Sequence, residues 1–318
     1  MTFRDWVEES RFKVHQYGWR KGGVSSAYDF WGGALRHASH LSGVDRRGEN
    51  VFERDWDVLV LLDTCRPDVA EEVAADYAFV PSEVPSISSV GSTSWEWLSR
   101  TFSETPDDVV GRTAYVCANN FSQQFGEAFD PDPTEFGLLD EVWRYGWDDD
   151  LGVVPPETVT DRAVDVARNG GFDRLVVHYM QPHIPYRSLD IGDRADADER
   201  GSAKRSVWDL LQMGDLSRAE AWEAYRDNLR WVLDDGVTPL LENVDADRVV
   251  LSSDHGEAFG EWGLYGHYRH VPAPALREVP WIVTSATDSG SLDPAVEPEE
   301  IRLTDDTIEE RLTALGYQ

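Results

Sequence analysis

Asp254, His255 and Glu257 arrive together in residues 249–262, VVLSSDHGEAFGEW, directly after a β-branched run. Such a run is the shape of a buried strand. Polar residues just past a strand end sit where open α/β sheets place their active sites. Asp254-His255 offers a hard oxygen and a borderline nitrogen to one divalent cation. The bland reading of the same pair is a helix-capping Asp beside a surface His. Two further runs repeat the pattern. Residues 56–62, WDVLVLL, end at Asp63, and residues 174–179, RLVVHY, lead into Met180-Gln181-Pro182-His183. If these strands are parallel, Asp63, His183 and Asp254-His255 gather at one edge of the sheet.

The ordered set DVLVLLDTCRPD, VVHYMQPHIPY, SSDHGEAFGEWGLYGHYRH and LREVPWIV resembles the sulfatase-like branch of the alkaline phosphatase superfamily. The resemblance covers roughly residues 52–285. It implies a metal-dependent hydrolase or transferase of sulfate or phosphate esters. It also implies that Asp63, Asp254 and His255 are the metal ligands, completed by a nucleophile oxygen. Mixed oxygen and nitrogen ligation favours Zn or Mn, whereas Ca or Mg would want more oxygens. His183 and His267 match positions that contact the anionic group, donate to the leaving group, or hold a second metal. His178 lies inside a strand and reads as a satisfied core histidine. His270 is open to either role. Arg66 and Arg269 are candidate anion clamps, with plain surface roles as the alternative.

The nucleophile implied by the resemblance falls in residues 90–98, VGSTSWEWL, at the start of a helix. A hydroxyl there meets free backbone N–H groups and the positive end of the helix dipole. Ser94 is the first candidate because it directly precedes the expected helix, Thr93 the second and Ser92 the third. Ser94 reads equally well as an N-cap. Cys65-Arg66-Pro67-Asp68-Val69 begins like a formylglycine signature but has Val69 where Arg is required, so Cys65 reads as packing. An unmodified Ser or Thr suits phosphoryl transfer better than formylglycine-type sulfatase chemistry. The expected activity is therefore hydrolysis of sulfate or phosphate esters at a divalent metal. The alternatives are a phosphoryl- or phosphoethanolamine-type transferase acting on a glycan or lipid head group, and a catalytically silent binding protein of the same fold.

Strands alternate with helices along the chain, at 57–62, 113–118, 174–179, 248–253 and 280–284 against 66–76, 95–102, 157–169, 218–241 and 305–315. This implies an α/β fold, an alkaline-phosphatase-like three-layer sandwich with a largely parallel central sheet. Residues 1–50 read as helical segments packed as an extension on a single domain spanning 51–318. Residues 127–157 read as a surface excursion, 86–94 as a loop, and 187–204 as a polar loop.

Charge bounds the partners. The chain has 60 acidic against 29 basic residues over 318 positions, a net of −31, with only three lysines (Lys13, Lys21, Lys204). Nucleic acid is disfavoured as a partner, because phosphate contacts need clustered Lys and Arg. An anionic small-molecule or glycan ester fits the implied site. The scarcity of Lys beside so many carboxylates resembles proteins adapted to molar salt. Cys65 and Cys117 read as buried free thiols. No apolar run approaches a transmembrane length, and the N-terminus lacks a secretory core, so a cytoplasmic protein is expected. Residues 1–50 carry eight basic and six acidic residues, leaving −33 on the remainder. Phe3, Trp6, Phe12, Tyr17 and Trp19 there either pack on the domain, the preferred reading, or make a peripheral membrane contact. Carboxylate repulsion is screened over about 3 Å at 1 M salt and about 10 Å at 0.1 M. The melting temperature should therefore rise between dilute and molar KCl; an unchanged melting curve would remove the salt-adaptation reading.

Overall fold

The computed structural model describes residues 3–191, 205–298 and 303–315. Most of the expected loop at 187–204 lies outside them. Among the described residues six strands form one sheet: β1 (Val58–Leu62), β3 (Thr113–Cys117), β4 (Leu138–Glu141), β5 (Arg174–Tyr179), β6 (Ala246–Ser252) and β10 (Ile282–Ala286). Their spatial order is β10-β6-β1-β5-β3-β4, parallel throughout except for antiparallel β10. Two small ladders stand apart, β2 (Ser86–Ser88) with β9 (Glu278–Pro280), and β7 (Ala258–Phe259) with β8 (Tyr265–Gly266).

Every residue of β1, VLVLL, is buried, because both faces of the sheet are covered. Leu59 and Leu61 pack with Trp97, Leu98 and Phe102 of helix α3 (Ser94–Ser103). Val58, Val60 and Leu62 face the other way. They join Val69 and Val73 of α2 (Pro67–Val73), Val159 and Ala163 of α4 (Pro156–Asn169), and Leu229 of a later helix. The result is an α/β sandwich, helices on both sides of a largely parallel sheet, consistent with an alkaline-phosphatase-like fold.

Several expected elements differ in detail. Residues 127–157 are no surface excursion: they hold the edge strand β4 and the fully buried Val142, Trp143 and Val154. The Asp, Pro and Gly content of that stretch hid a short strand whose partner is supplied by β3. The loop expected at 86–94 begins with β2. The helix expected at 218–241 is α6 (Arg218–Val232), which follows α5 (Val207–Met213). A π-helical turn, Leu233–Val237, then precedes a last turn, Thr238–Leu241. The Gly236 carbonyl of the π-helical turn accepts from the Thr160 hydroxyl at 3.0 Å. The C-terminal helix is α7 (Asp305–Ala314).

The N-terminal segment is one long element, α1 (Phe3–Ser42), broken at Gly18, whose φ of 79° and ψ of 162° are not helical. The two arms fold back on each other. Trp6 Nε1 donates to Ser26 O at 2.9 Å, and a Cβ on Gly22 would meet Lys13 O at 2.2 Å. Lys13 is the bolt. Its ammonium is buried between Asp29 of the second arm, at 2.8 Å, and Asp209 of α5, at 3.2 Å. Burial works to lower its pKa, but Asp209 and Asp29 raise it well above the usual lysine range. At its far end α1 reaches the core through a hub. Asp45, wholly buried, accepts from Arg100 of α3 and lies 3.3 Å from His40 Nδ1 and 2.8 Å from His270 Nδ1. Replacing Lys13 by Met would leave Asp29 and Asp209 without their cation. Removing one partner of a mostly buried ion cluster costs about 3–5 kcal/mol. Lys13→Met should therefore speed amide hydrogen exchange across residues 19–42 while the central strands stay protected.

Candidate functional site

The sheet order places β1 between β6 and β5, with Leu61 opposite Ser252 and Leu62 opposite Tyr179. Three adjacent parallel strands thus end side by side, and the residues that follow them share one edge. Asp63 follows β1, His178 stands near the end of β5, and Asp254-His255 follow β6. The chain leaves Asp63 through Thr64 at φ 65°, a left-handed conformation that a β-branched residue adopts at a cost of about 1–3 kcal/mol. Tyr225 of α6 holds the Thr64 carbonyl at 2.6 Å. Gly256 is required after His255, since a Cβ there would meet the Ala275 carbonyl oxygen at 2.3 Å.

Asp63, Asp254, His255 and Ser94 are wholly buried. One ligand atom from each of Asp63, Asp254 and His255 lies within 4.8 Å of the others. His255 Nε2 stands 3.6 Å from Asp63 Oδ1 and 3.5 Å from Asp254 Oδ2. Its Nδ1 lies 2.8 Å from the Gly256 carbonyl, which fixes the proton there and turns the Nε2 lone pair toward the carboxylates. Asp254 Oδ1 accepts from the His255 amide at 2.9 Å, the Ser253 hydroxyl at 3.3 Å and the Thr64 amide at 3.4 Å. Asp254 Oδ2 and Asp63 Oδ1 have no hydrogen-bond partner.

Ser94 Oγ lies 3.2 Å from Asp63 Oδ2 and 3.2 Å from His255 Nε2. It is the first residue of α3 rather than the residue before it. The N-cap is Thr93, whose hydroxyl accepts from the Glu96 amide at 3.3 Å. Ser92 Oγ donates its one proton to Glu96 Oε2 at 2.7 Å and lies 2.8 Å from Tyr268 O. Of the three hydroxyls, Ser94's is the one hydrogen-bonded into the Asp–His cluster. Gly91 lets the turn close, because a Cβ there would meet the Trp97 amide nitrogen at 2.5 Å.

Two side chains that sequence reasoning did not place here complete the cluster. Asn119 donates from Nδ2 to Asp63 Oδ2 at 2.8 Å, and it stands just beyond β3 as Asp63 does beyond β1. That shared strand-end position was the signal for it. His178 is fully buried, with Nε2 3.7 Å from Asp63 and 3.9 Å from Asp254, both too long for hydrogen bonds. Burial works to lower its pKa, but Asp63, then Cys117 and Asp254, raise it to about 10. Asp63 is pushed up by burial and pulled well below the usual carboxylate range by His178, His183 and His255.

A second group adjoins the first. His267 Nδ1 pairs with Glu257 Oε1 at 3.0 Å, and its ring centroid is 4.7 Å from that of His255 and 5.3 Å from that of His183. Ligand atoms of His183, Glu257 and His267 also lie within 4.8 Å of one another. Glu257 Oε2 is buried with no hydrogen-bond partner. His270 lies in the Asp45 hub instead, at φ 64° and 3.0 Å from Glu96 Oε1. Arg66 is committed to structure. It forks onto Asp68 and donates to the Glu257 carbonyl at 2.9 Å and Glu261 at 3.0 Å. Arg269 stacks over Trp95, the neighbour of Ser94, at 4.2 Å.

The donor set fits a divalent cation. Two buried carboxylates each turn an unpartnered oxygen toward the same point as an imidazole lone pair. Buried carboxylates without a cation are strongly unfavourable. Asp63, Asp254 and His255 would hold such an ion, with Ser94 at its edge, and His183, Glu257 and His267 have the donors for a second.

No protein-family model and no curated protein matches this chain. Solved structures do. The soluble domain of lipooligosaccharide phosphoethanolamine transferase A from Neisseria meningitidis matches at 20% identity, over 70% of this chain and 75% of that one, with a TM-score of 0.44. The C-terminal periplasmic domain of phosphoethanolamine transferase EptC from Campylobacter jejuni matches at 17% identity, over 72% and 78%, with a TM-score of 0.43. A 2-O GAG sulfatase matches at 12% identity, over 82% and 70%, with a TM-score of 0.42. The likeness is one of fold. One of these structures is a periplasmic domain, and the expectation of a cytoplasmic protein is withdrawn. That expectation rested on a weak test, since an N-terminal stretch without an apolar core does not fix a compartment. No described helix is long and apolar enough to cross a membrane.

Asp254→Asn keeps shape and hydrogen bonding while removing the charge. The variant should lose zinc or manganese affinity by at least about tenfold, read by calorimetric titration. Affinity equal to the parent's would exclude Asp254 as a ligand.

Proposed function

We propose that the chain is a metal-dependent transferase that moves a phosphoryl or substituted phosphoryl group, of the phosphoethanolamine type, to a hydroxyl on a glycan or lipid head group. The observation that carries this reading is Ser94, an unmodified hydroxyl 3.2 Å from both Asp63 and His255 at the first turn of a helix. Transfer stands ahead of the ester hydrolysis expected from sequence because Ser94, Asp63, Asp254 and His255 are all wholly enclosed. An enclosed nucleophile favours an acceptor positioned by binding over bulk water. A catalytically silent role would leave the unpartnered oxygens of Asp63 and Asp254 buried to no purpose.

A divalent cation bound there supplies positive charge for the anionic ester and lowers the pKa of a nearby hydroxyl. The chain's own residues do the rest. Asn119 orients Asp63, and the His178 charge beside it favours the carboxylate form. Ser94 Oγ, its proton released to water when the cation binds, bonds to phosphorus as the bond from phosphorus to the donor's alcohol oxygen breaks. His267, held by Glu257, gives that departing oxygen its proton. The acceptor hydroxyl then returns a proton to His267 and attacks phosphorus, and the Ser94 ester bond breaks, regenerating Ser94 Oγ as the alkoxide. His183 and Arg269 border the path of the anion. We also propose that the chain is adapted to high salt, from its −31 charge and three lysines.

Ser94→Ala should lower turnover by roughly a thousandfold or more, with metal affinity only weakened. Incubation of the parent with donor alone should leave the transferred group on Ser94, read by peptide mass spectrometry. Adding an acceptor alcohol should discharge it faster than water does; discharge at the same rate would make the protein a hydrolase. Activity kept by Ser94→Ala and lost by Thr93→Ala would move the attack to the capping residue.

A further inference from the structure

We infer that the outer face of the second arm of α1 docks on an anionic lipid surface. This inference stands apart from the reaction proposed above. Exposed large apolar side chains concentrate on this arm: Trp19 is 77% exposed, Leu41 73%, Phe30 51%, Trp31 48% and Val24 47%. Trp19, Phe30 and Leu41 stand eleven residues apart. At about 3.6 residues per turn eleven residues make just over three turns, so the three side chains share one line along the arm. Val24 and Trp31 lie on the adjoining strip, and Arg20 and His37 are polar members of the same face.

The arm carries little negative charge. From residue 19 through 44 it has a single carboxylate, Asp29, against Arg20, Lys21 and Arg36. Asp29 is already engaged by Lys13 at 2.8 Å. In a chain of net charge −31 this is the region where an anionic surface meets least repulsion. A second copy of the chain would bring its own −31 toward the same place. Exposed Trp and Phe with interspersed Arg are the composition of helices that lie in the headgroup layer, their apolar side sunk about 5–10 Å.

The arm is also built against the catalytic side of the molecule. Trp31 Nε1 donates to Trp262 O at 2.7 Å, and Trp262 itself is 54% exposed beside it. A Cβ on Gly32 would touch the Tyr268 ring at 2.8 Å, and Tyr28 packs edge-on to Tyr265 with centroids 5.0 Å apart. These contacts fall on residues 262–268, the segment that carries His267. Docking this arm therefore sets the segment that carries His267 directly behind a helix lying on the lipid surface.

The test is co-sedimentation of the full chain with phosphatidylglycerol vesicles and with phosphatidylcholine vesicles, at a KCl concentration where its melting curve shows it folded. The chain should sediment with phosphatidylglycerol and at least threefold less with phosphatidylcholine. Trp19→Ser, Phe30→Ser and Leu41→Ser combined should reduce binding at least tenfold without changing metal content. Arg36→Glu alone should weaken binding to phosphatidylglycerol. If the triple variant folds poorly, quenching of the parent's tryptophan fluorescence by brominated lipid decides the same point. No sedimentation of the parent, equal binding to both lipids, unquenched tryptophan, or a dimer that the triple variant abolishes in place of vesicle binding would each overturn the inference.

Discussion

Two carboxylates, Asp63 and Asp254, lie buried at the end of adjacent strands with one oxygen each unpartnered. Like charges in a low-dielectric interior repel strongly, and neither can reach water. Much of the surrounding structure follows from answering that charge. Asn119 and Ser94 bond one oxygen of Asp63, three donors hold one oxygen of Asp254, and His255 faces both. The unpartnered oxygens and the His255 lone pair are donors that a divalent cation takes, and His178 is driven toward its protonated form by the same field. The strain at Thr64 and the requirement for glycine at 256 are local costs of keeping the two acids in place.

A second carboxylate system ties the periphery to this centre. Glu96 accepts from the Ser92 amide and hydroxyl, from the His270 amide and from Arg100, and it sits two residues after Ser94 on α3. Arg100 passes the connection to Asp45 and so to the end of α1. Helix α3 and the N-terminal helix α1 are therefore held by one continuous ion network. Each of its members is at least partly buried except His40, so solvent and salt screen it less than they screen the acidic exterior.

The sequence made the sheet legible because buried parallel strands read as short β-branched runs, and β1, β5 and β6 are such runs. It brought Asp63, Asp254 and His255 forward because each follows one. It was weaker where the signal is not periodic. Asn119 looked like loop polarity, although it too follows a strand. His178 sat inside a strand and looked like core, since alternation places a residue on a face but does not say what that face meets at its end. The cap position went to Thr93 and not Ser94, a one-residue difference that spacing does not resolve. Edge strand β4 was hidden by Asp, Pro and Gly, because an edge needs only one partner and its residues are only half covered.

The residues around the Asp63 centre come from separate strand ends and one helix start: Asp63 after β1, Ser94 on α3, Asn119 after β3, His178 on β5, Asp254 and His255 after β6. No two of these elements share a loop. In evolutionary terms the centre is modular. A single replacement at one strand end changes the donor set, and with it the preferred ion, while the buried residues of β1, β3, β5 and β6 go on specifying the sheet. The scaffold is thereby free to diversify its chemistry without refolding, one strand end at a time.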